Sequence, residues 1–276
     1  MRISRKLVLL FTVSFFATLI QSTNSIAVVN DTSEEKNIEI NVKAGTFAMF
    51  AGLNGHGYYT CSGVQDPNTY GSGTRIITAT HCLNGVKGQG IKKVAWTNSS
   101  KLPGYLGKGF DVSKYDYYSV LSTQKAKNDE TDLGNDISVL RIHSVKGIYP
   151  SAINSYKIPT QNQLNGLTLD DKFVVAGFGY TARGPMSIKK WLTWLRSNNV
   201  NYSTVTVGFL SLNSTQITED ITQDNGWGAA CIGDSGGPNF VNIDNTTYLA
   251  GITSTGDDEC EKTNVISRLD TTIYKH

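Results

Sequence analysis

The chain has 276 residues, with 25 Lys and Arg against 23 Asp and Glu for a formal net charge of +2. Its 39% hydrophobic and 17% charged content suits a globular chain with a large core and argues against disorder as the main state. The length permits one large all-β domain or two fused barrels, and the lack of any dense Lys/Arg block argues against a nucleic-acid binder.

The N-terminus carries Arg2, Arg5 and Lys6, then an uncharged, mostly apolar run over 7–20, then a polar stretch ending Ser25-Ile26-Ala27. That order reads as a signal peptide over 1–27, cleaved after Ala27. The run falls short of the roughly 20 apolar residues that a membrane span requires. No later stretch is apolar enough to serve, so no membrane anchor is expected after cleavage. The mature chain is expected to be secreted, extracellular or, in a bacterium, periplasmic. Residues 28–37, polar and containing Glu34, Glu35 and Lys36, look like a short pro-segment, with a disordered tail as the alternative. The remainder, 38–276, is read as the functional domain.

From residue 38 onward the pattern is short runs rich in Val, Ile, Thr, Tyr and Phe, broken by Gly, Asn, Asp and Ser. Strands are predicted over 46–53, 75–79, 137–142, 172–176, 200–209 and 247–253. With 27 glycines and few helical patterns, this argues for an all-β sandwich or barrel. The segment 187–197 fits a helix or a twisted strand carrying Trp191, Trp194 and Leu195. Pro150, Pro159, Asn and Gln accumulate over 149–166, which reads as a linker between two strand-rich halves, about 38–150 and 160–276.

Four cysteines in an exported chain read as two disulfides rather than a metal site. Three pairings are open, of which Cys61 with Cys82 and Cys231 with Cys260 joins cysteines within the same half. Without Cys-x-x-Cys or His-x-x-x-His pairs, neither a metal nor another cofactor is expected. Asn-x-Ser/Thr sequences at Asn30, Asn98, Asn201, Asn213 and Asn245 would accept glycans if the source glycosylates.

Hydrolysis of an amide or ester by a serine needs a base, a group that holds the base, and donors for the oxyanion. Four histidines are available, His56, His81, His143 and His276. His81 closes the apolar run Arg75-Ile76-Ile77-Thr78-Ala79-Thr80 and sits beside Cys82, a placement that would hold its backbone rigid. Ser235 lies in Cys231-Ile232-Gly233-Asp234-Ser235-Gly236-Gly237-Pro238, where the glycines let the backbone take conformations closed to other residues. The N–H groups of Gly233 and Ser235 could then converge on one oxyanion.

Thr78-Ala79-Thr80-His81-Cys82, Asn135-Asp136-Ile137-Ser138-Val139-Leu140 and Gly233-Asp234-Ser235-Gly236-Gly237-Pro238 resemble the three signatures of the chymotrypsin-like serine proteases, in the same order. Gly177-Phe178-Gly179 is similar to that family's Gly-Trp-Gly, and Gly251-Ile252-Thr253-Ser254-Thr255-Gly256 to its substrate-binding strand. The likeness runs from about Thr46 to Leu269. It implies two six-stranded antiparallel β-barrels packed together, a peptide-bond hydrolase, and a protein or peptide as substrate, with the chain acting as a monomer. It implies His81 as base then acid, Asp136 as its buried partner, Ser235 as nucleophile, and Gly233 with Ser235 as the oxyanion donors. Cys61–Cys82 and Cys231–Cys260 would match two disulfides common in the family.

Asp111, Asp129 and Asp132 lie near Asp136, but only Asp136 directly precedes an apolar run that would bury it, where a histidine partner offsets the cost. The Gly-x-Ser-x-Gly pattern also fits an α/β-hydrolase, a lipase or esterase. That fold needs its histidine after the serine, and here only the terminal His276 follows. A non-catalytic binding protein on the same scaffold is the other alternative.

The resemblance places the base of the primary specificity pocket at Ala229, with Ser254 and Gly256 also at the substrate, and implies an uncharged pocket for a medium or large apolar side chain. Asp257, Asp258 and Glu259 follow that wall and read as a solvated acidic loop or as an attractant for a basic group. Family members commonly mature by exposing an Ile or Val amino group that pairs with the aspartate before the nucleophile, here Asp234. No Ile-Val-Gly-Gly precedes Ala44-Gly45-Thr46-Phe47, so this chain departs from that pattern.

Overall fold

A computed structural model describes residues 42–53, 56–87, 94–99, 101–108, 118–125, 136–144, 146–180 and 183–271. The signal peptide and pro-segment expected over 1–37, with Asp111, Asp129, Asp132 and His276, lie outside the described residues.

Strands follow in the order β1 Thr46–Leu53, β2 His56–Gln65, β3 Arg75–Thr78, helix α1 Thr80–Lys87, β4 Val94–Thr97, β5 Lys101–Pro103, β6 Tyr105–Lys108, β7 Tyr118–Lys125 and β8 Ser138–Ser144. The second half holds β9 Lys172–Gly177, helix α2 Ile188–Ser197, β10 Asn199–Asn201, β11 Ser203–Leu212, β12 Gln216–Asp220, β13 Pro238–Ile243, β14 Thr246–Gly256 and β15 Thr263–Arg268.

Each half closes on itself. In the first, the order β1-β4-β7-β8-β3-β2 is closed by β1 pairing with β2, and β6 adds to the outside of β2. In the second, β11-β12-β15-β14-β13-β9 form a closed barrel. All the barrel pairings are antiparallel, so the two six-stranded antiparallel barrels expected from the motifs are present. Among the described residues, closure pairs both edges of each six-stranded sheet.

Alternation along the strands builds the cores. In β8, Ser138, Leu140, Ile142 and Ser144 point inward while Arg141 and His143 face out. Phe47, Met49, Ile76, Ile77, Trp96 and Leu140 fill the first barrel, in one cluster that continues into Phe240 and Leu249 of the second. Phe173, Val175, Val207, Ile217 and Ile266 fill the second barrel beside Cys231 and Cys260. Each such side chain contributes roughly 1.5–3 kcal/mol on burial.

The structure decides one open segment and divides one predicted strand. The undecided run 187–197 is helical, because Ser187 caps it by accepting from the Lys190 amide, and Trp191 and Leu195, four apart, bury on one face. The single strand predicted over 200–209 is two: β10 pairs with β5 of the first half, and β11 with β9 and β12 of the second. The chain thus changes partners at Tyr202.

Candidate active site

The register of the first barrel assembles one side of the site. Thr78 on β3 pairs with Ser138 on β8 in antiparallel sense, so β3 ends where β8 begins. His81, on the first turn of α1, is three residues past that pair, and Asp136 two residues before it. The Thr80 amide donates to the Asp136 carbonyl at 3.3 Å, and the hydroxyls of Thr80 and Ser138 are 2.9 Å apart. Asp136 then holds His81 twice, Oδ1 accepting from the His81 main-chain N–H at 2.8 Å and Oδ2 lying 2.5 Å from Nδ1. Asp136 is 7% exposed and His81 45%, so the carboxylate is shielded while the ring reaches solvent. The Ser254 hydroxyl, from β14, donates to Asp136 Oδ2 at 2.7 Å.

The second barrel supplies the serine. Ser235 lies in the turn before β13. Its carbonyl accepts from the Ser62 amide on β2 at 2.8 Å, and the next amide, Gly236, donates to Thr253 on β14 at 2.7 Å. Ser235 is therefore tied to both barrels, and it lines the same cleft as His81. No hydrogen bond joins the two side chains here. The His81 Nε2 lies 3.8 Å from Cys82 Sγ. A bond between a base and its nucleophile commonly tightens only when substrate arrives.

The loop before the serine is fixed by close contacts. Gly233 has φ +100°, and a Cβ there would stand 2.8 Å from the Tyr59 ring and 3.1 Å from Gly179 Cα, so both conformation and space demand glycine. The Tyr59 hydroxyl donates to the Gly233 carbonyl, and Ser62 Oγ does so at 3.2 Å. Asp234 is fully buried; its Oδ1 accepts from the Gly179 amide at 2.8 Å and its Oδ2 from the Cys231 amide at 2.9 Å. Burial pushes the Asp234 carboxyl up to about 7, against the downward pull of the Cys231, Gly179 and Phe178 amides. A Cβ on Gly177 or Gly179 would fall 2.1 or 2.4 Å from that carboxylate, which accounts for the Gly-Phe-Gly string. Sequence reasoning missed Tyr59, whose role depends on a contact across 174 residues.

The cysteines pair as Cys61–Cys82 and Cys231–Cys260, one bracing the backbone beside His81 and the other the loop leading to Ser235. Although Cys61, His81 and Cys82 come together, both sulfurs are spent in a disulfide and cannot act as thiolate ligands.

A family model described as Trypsin matches residues 40–273. The chain belongs to the trypsin family of serine proteases. Serine protease 1 and Serine protease 2 of Drosophila melanogaster are each 28% identical to it over 205 residues, covering 74% of this chain and 68% of each relative. It is accordingly a hydrolase, a serine-type endopeptidase acting on proteins.

The cleft of this trypsin-family chain that His81 and Ser235 line has a volume of about 760 Å³, and Ser254, Gly256 and Asn264 also line it. Ala229 is not on its surface; it packs fully buried in the second core, and its neighbour Ala230 lines the wall instead. Asp257 lines the cleft, but its carboxylate is turned to its own loop, accepting from the amides of Glu259, Glu261, Lys262 and Thr263. Partial burial works upward on Asp257, but the Thr263, Lys262, Glu261 and Glu259 amides outweigh it and hold the carboxyl below the usual range. The Pro185–Ser187 turn and Lys190 of α2 form another part of the cleft lining.

Proposed function

We propose that this protease cleaves peptide bonds through an acyl-enzyme formed on Ser235. His81 takes the hydroxyl proton and later returns it to the leaving amine. Asp136 holds the ring with Nδ1 protonated and steadies the imidazolium that forms. The N–H groups of Gly233 and Ser235 receive the charge that develops on the carbonyl oxygen, an effect worth about 2.7–4 kcal/mol per donor removed. The single observation that carries the reading is the pair of hydrogen bonds between Asp136 and His81, at 2.8 and 2.5 Å, on a cleft that Ser235 also lines. Ala230, Cys231, Ile232, Thr255, Gly256 and Asn264 of the lining are uncharged and the Asp257 carboxylate is bound to its own loop, which supports an uncharged primary pocket for a medium or large side chain.

The protein is further proposed to be secreted after loss of residues 1–27, to lose 28–37 on maturation, and to work as a monomer without metal, cofactor, nucleic acid or membrane anchor. Its peptidase domain then runs over 38–276. Among the described residues, no helix is long and apolar enough to cross a membrane. The test is fluorophosphonate labelling of the processed chain beside Ser235→Ala. Labelling that requires Ser235, with cleavage of a peptide library, supports the reading. An accessible Ser235 that stays unmodified would favour the non-catalytic binder, and cleavage of esters alone the esterase.

A further inference from the structure

Arg183 carries a charge that no carboxylate answers. It lies between the Gly177-Phe178-Gly179 string and α2, directly before the turn at 185–187 that lines the cleft. Among the described residues its guanidinium forms no ion pair. Withdrawing a cation from water is costly unless hydrogen bonds replace the lost hydration, so the partners of this half-buried group indicate what it holds.

Those partners are main-chain carbonyls from three separate stretches of the second half. Nη1 donates to Ile221, just past β12, at 3.0 Å, and to Cys260 and Glu261 at 2.8 and 3.4 Å. Nη2 donates to Trp227 at 3.1 Å. Cys260 has φ +56°, in the left-handed region that residues with a Cβ rarely enter, so its carbonyl meets Arg183 from a strained backbone. The next amide adds a further tie, Gly184 donating to the Glu259 carbonyl at 2.8 Å.

These bonds join two parts of the cleft lining. Pro185, Met186 and Ser187 follow Arg183 directly and line the cleft, and so do Asp257, Asp258 and Cys260. The planar fork of a guanidinium can serve carbonyls lying in different directions at once, which a single ammonium nitrogen cannot do. Without it, a peptide entering the cleft would have to order the 185–187 turn itself, and that ordering weakens binding.

We infer that Arg183 is a positioning residue for substrate binding, a cation caged in carbonyls that holds the 185–187 turn against the 257–260 stretch so that the cleft is formed before the peptide arrives. The inference rests on the peptidase reading. His81 and Asp136 are fixed by other bonds, so the chemistry at Ser235 does not depend on Arg183.

The experiment measures kcat and KM for a fluorogenic peptide with several residues on each side of the cut bond, in wild type, Arg183→Ala and Arg183→Lys. Beside it runs the rate of labelling by diisopropyl fluorophosphate, a reagent too small to fill the cleft. Arg183→Ala is expected to raise KM roughly tenfold, the effect of leaving the turn in place in about one molecule in ten, with kcat and labelling within about twofold of wild type. Guanidinium ion, below its unfolding transition, should bring KM back toward wild type, whereas urea, of the same planar shape without the charge, should not. Arg183→Lys should also raise KM, because it keeps the charge but loses the fork. A purely structural Arg183 would lower the melting temperature and leave KM of the folded variants unmoved, which overturns the inference. Guanidinium and urea acting alike, or kcat and labelling falling with KM unchanged, overturn it as well. If Arg183→Ala does not fold, Arg183→Lys carries the test, and a wild-type KM in that protein overturns the inference. Wild type that neither cuts nor reacts with the fluorophosphate refutes the peptidase reading instead.

Discussion

Asp136 grips His81 at two points, its main-chain N–H and its ring Nδ1, and is itself gripped by Ser254. The carboxylate thereby fixes both the position and the tilt of the imidazole.

Replacing Asp136 by Asn presents an N–H where the ring needs an acceptor, which favours the wrong tautomer. The expected result is a fall in kcat of about 10⁴-fold, with the fold intact by circular dichroism. A loss under tenfold would mean that Asp136 does not orient the base.

Ser254→Ala removes a hydrogen bond to a charged group while leaving the backbone of β14 in place. Such bonds are worth about 1.5–3 kcal/mol, so kcat should drop roughly 10- to 100-fold with KM little changed. Steady-state kinetics separates the two, and a rise in KM alone would assign Ser254 to substrate binding only.

The placement of these residues was unevenly legible in the sequence. The strand predicted over 46–53 is β1 to the residue, because its apolar run is cleanly bounded. The sequence places His81 at a strand end, and it sits on the first turn of a helix that starts at Thr80, two residues after β3 closes. Tyr59 and Glu219 gave no local signal. Tyr59 meets its partner Gly233 across 174 residues, and Glu219 meets Asn264 through a register fixed by barrel closure rather than by neighbours in the chain. The resemblance counts back from Ser235 to Ala229, and such a count does not say which of two adjacent alanines faces the cleft.

Tyr59→Phe deletes the hydroxyl that holds the Gly233 carbonyl and leaves the ring packed between Phe50, Phe178 and Trp191. With the loop less firmly aimed, kcat is expected to fall about tenfold, and stability by about 1 kcal/mol for the lost bond. Equal kcat in the two proteins would detach Tyr59 from the oxyanion loop.

Glu219 makes stability depend on pH. Burial raises its carboxyl from 4.5 to about 8, against a smaller downward pull from Asn264. Between those values the folded chain holds a proton that the unfolded chain has lost, so the contribution is full below pH 4.5 and disappears as pH rises through about 8. Asp234 shifts in the same direction and is common to both proteins. Glu219→Gln should therefore gain stability relative to wild type between about pH 5 and pH 9, measured by urea midpoints. A constant difference across that range would contradict the burial of an ionisable group at this position.

The central claim is that Ser235, served by His81 and Asp136, is the nucleophile. Its most direct measurement is intact mass of the processed protein after a fluorophosphonate, alongside Ser235→Ala and His81→Ala. The account predicts a single adduct on Ser235, none in Ser235→Ala, and labelling slowed by at least about 10³-fold in His81→Ala. Rapid labelling of the Ser235→Ala protein, or none of a folded wild type, would contradict it.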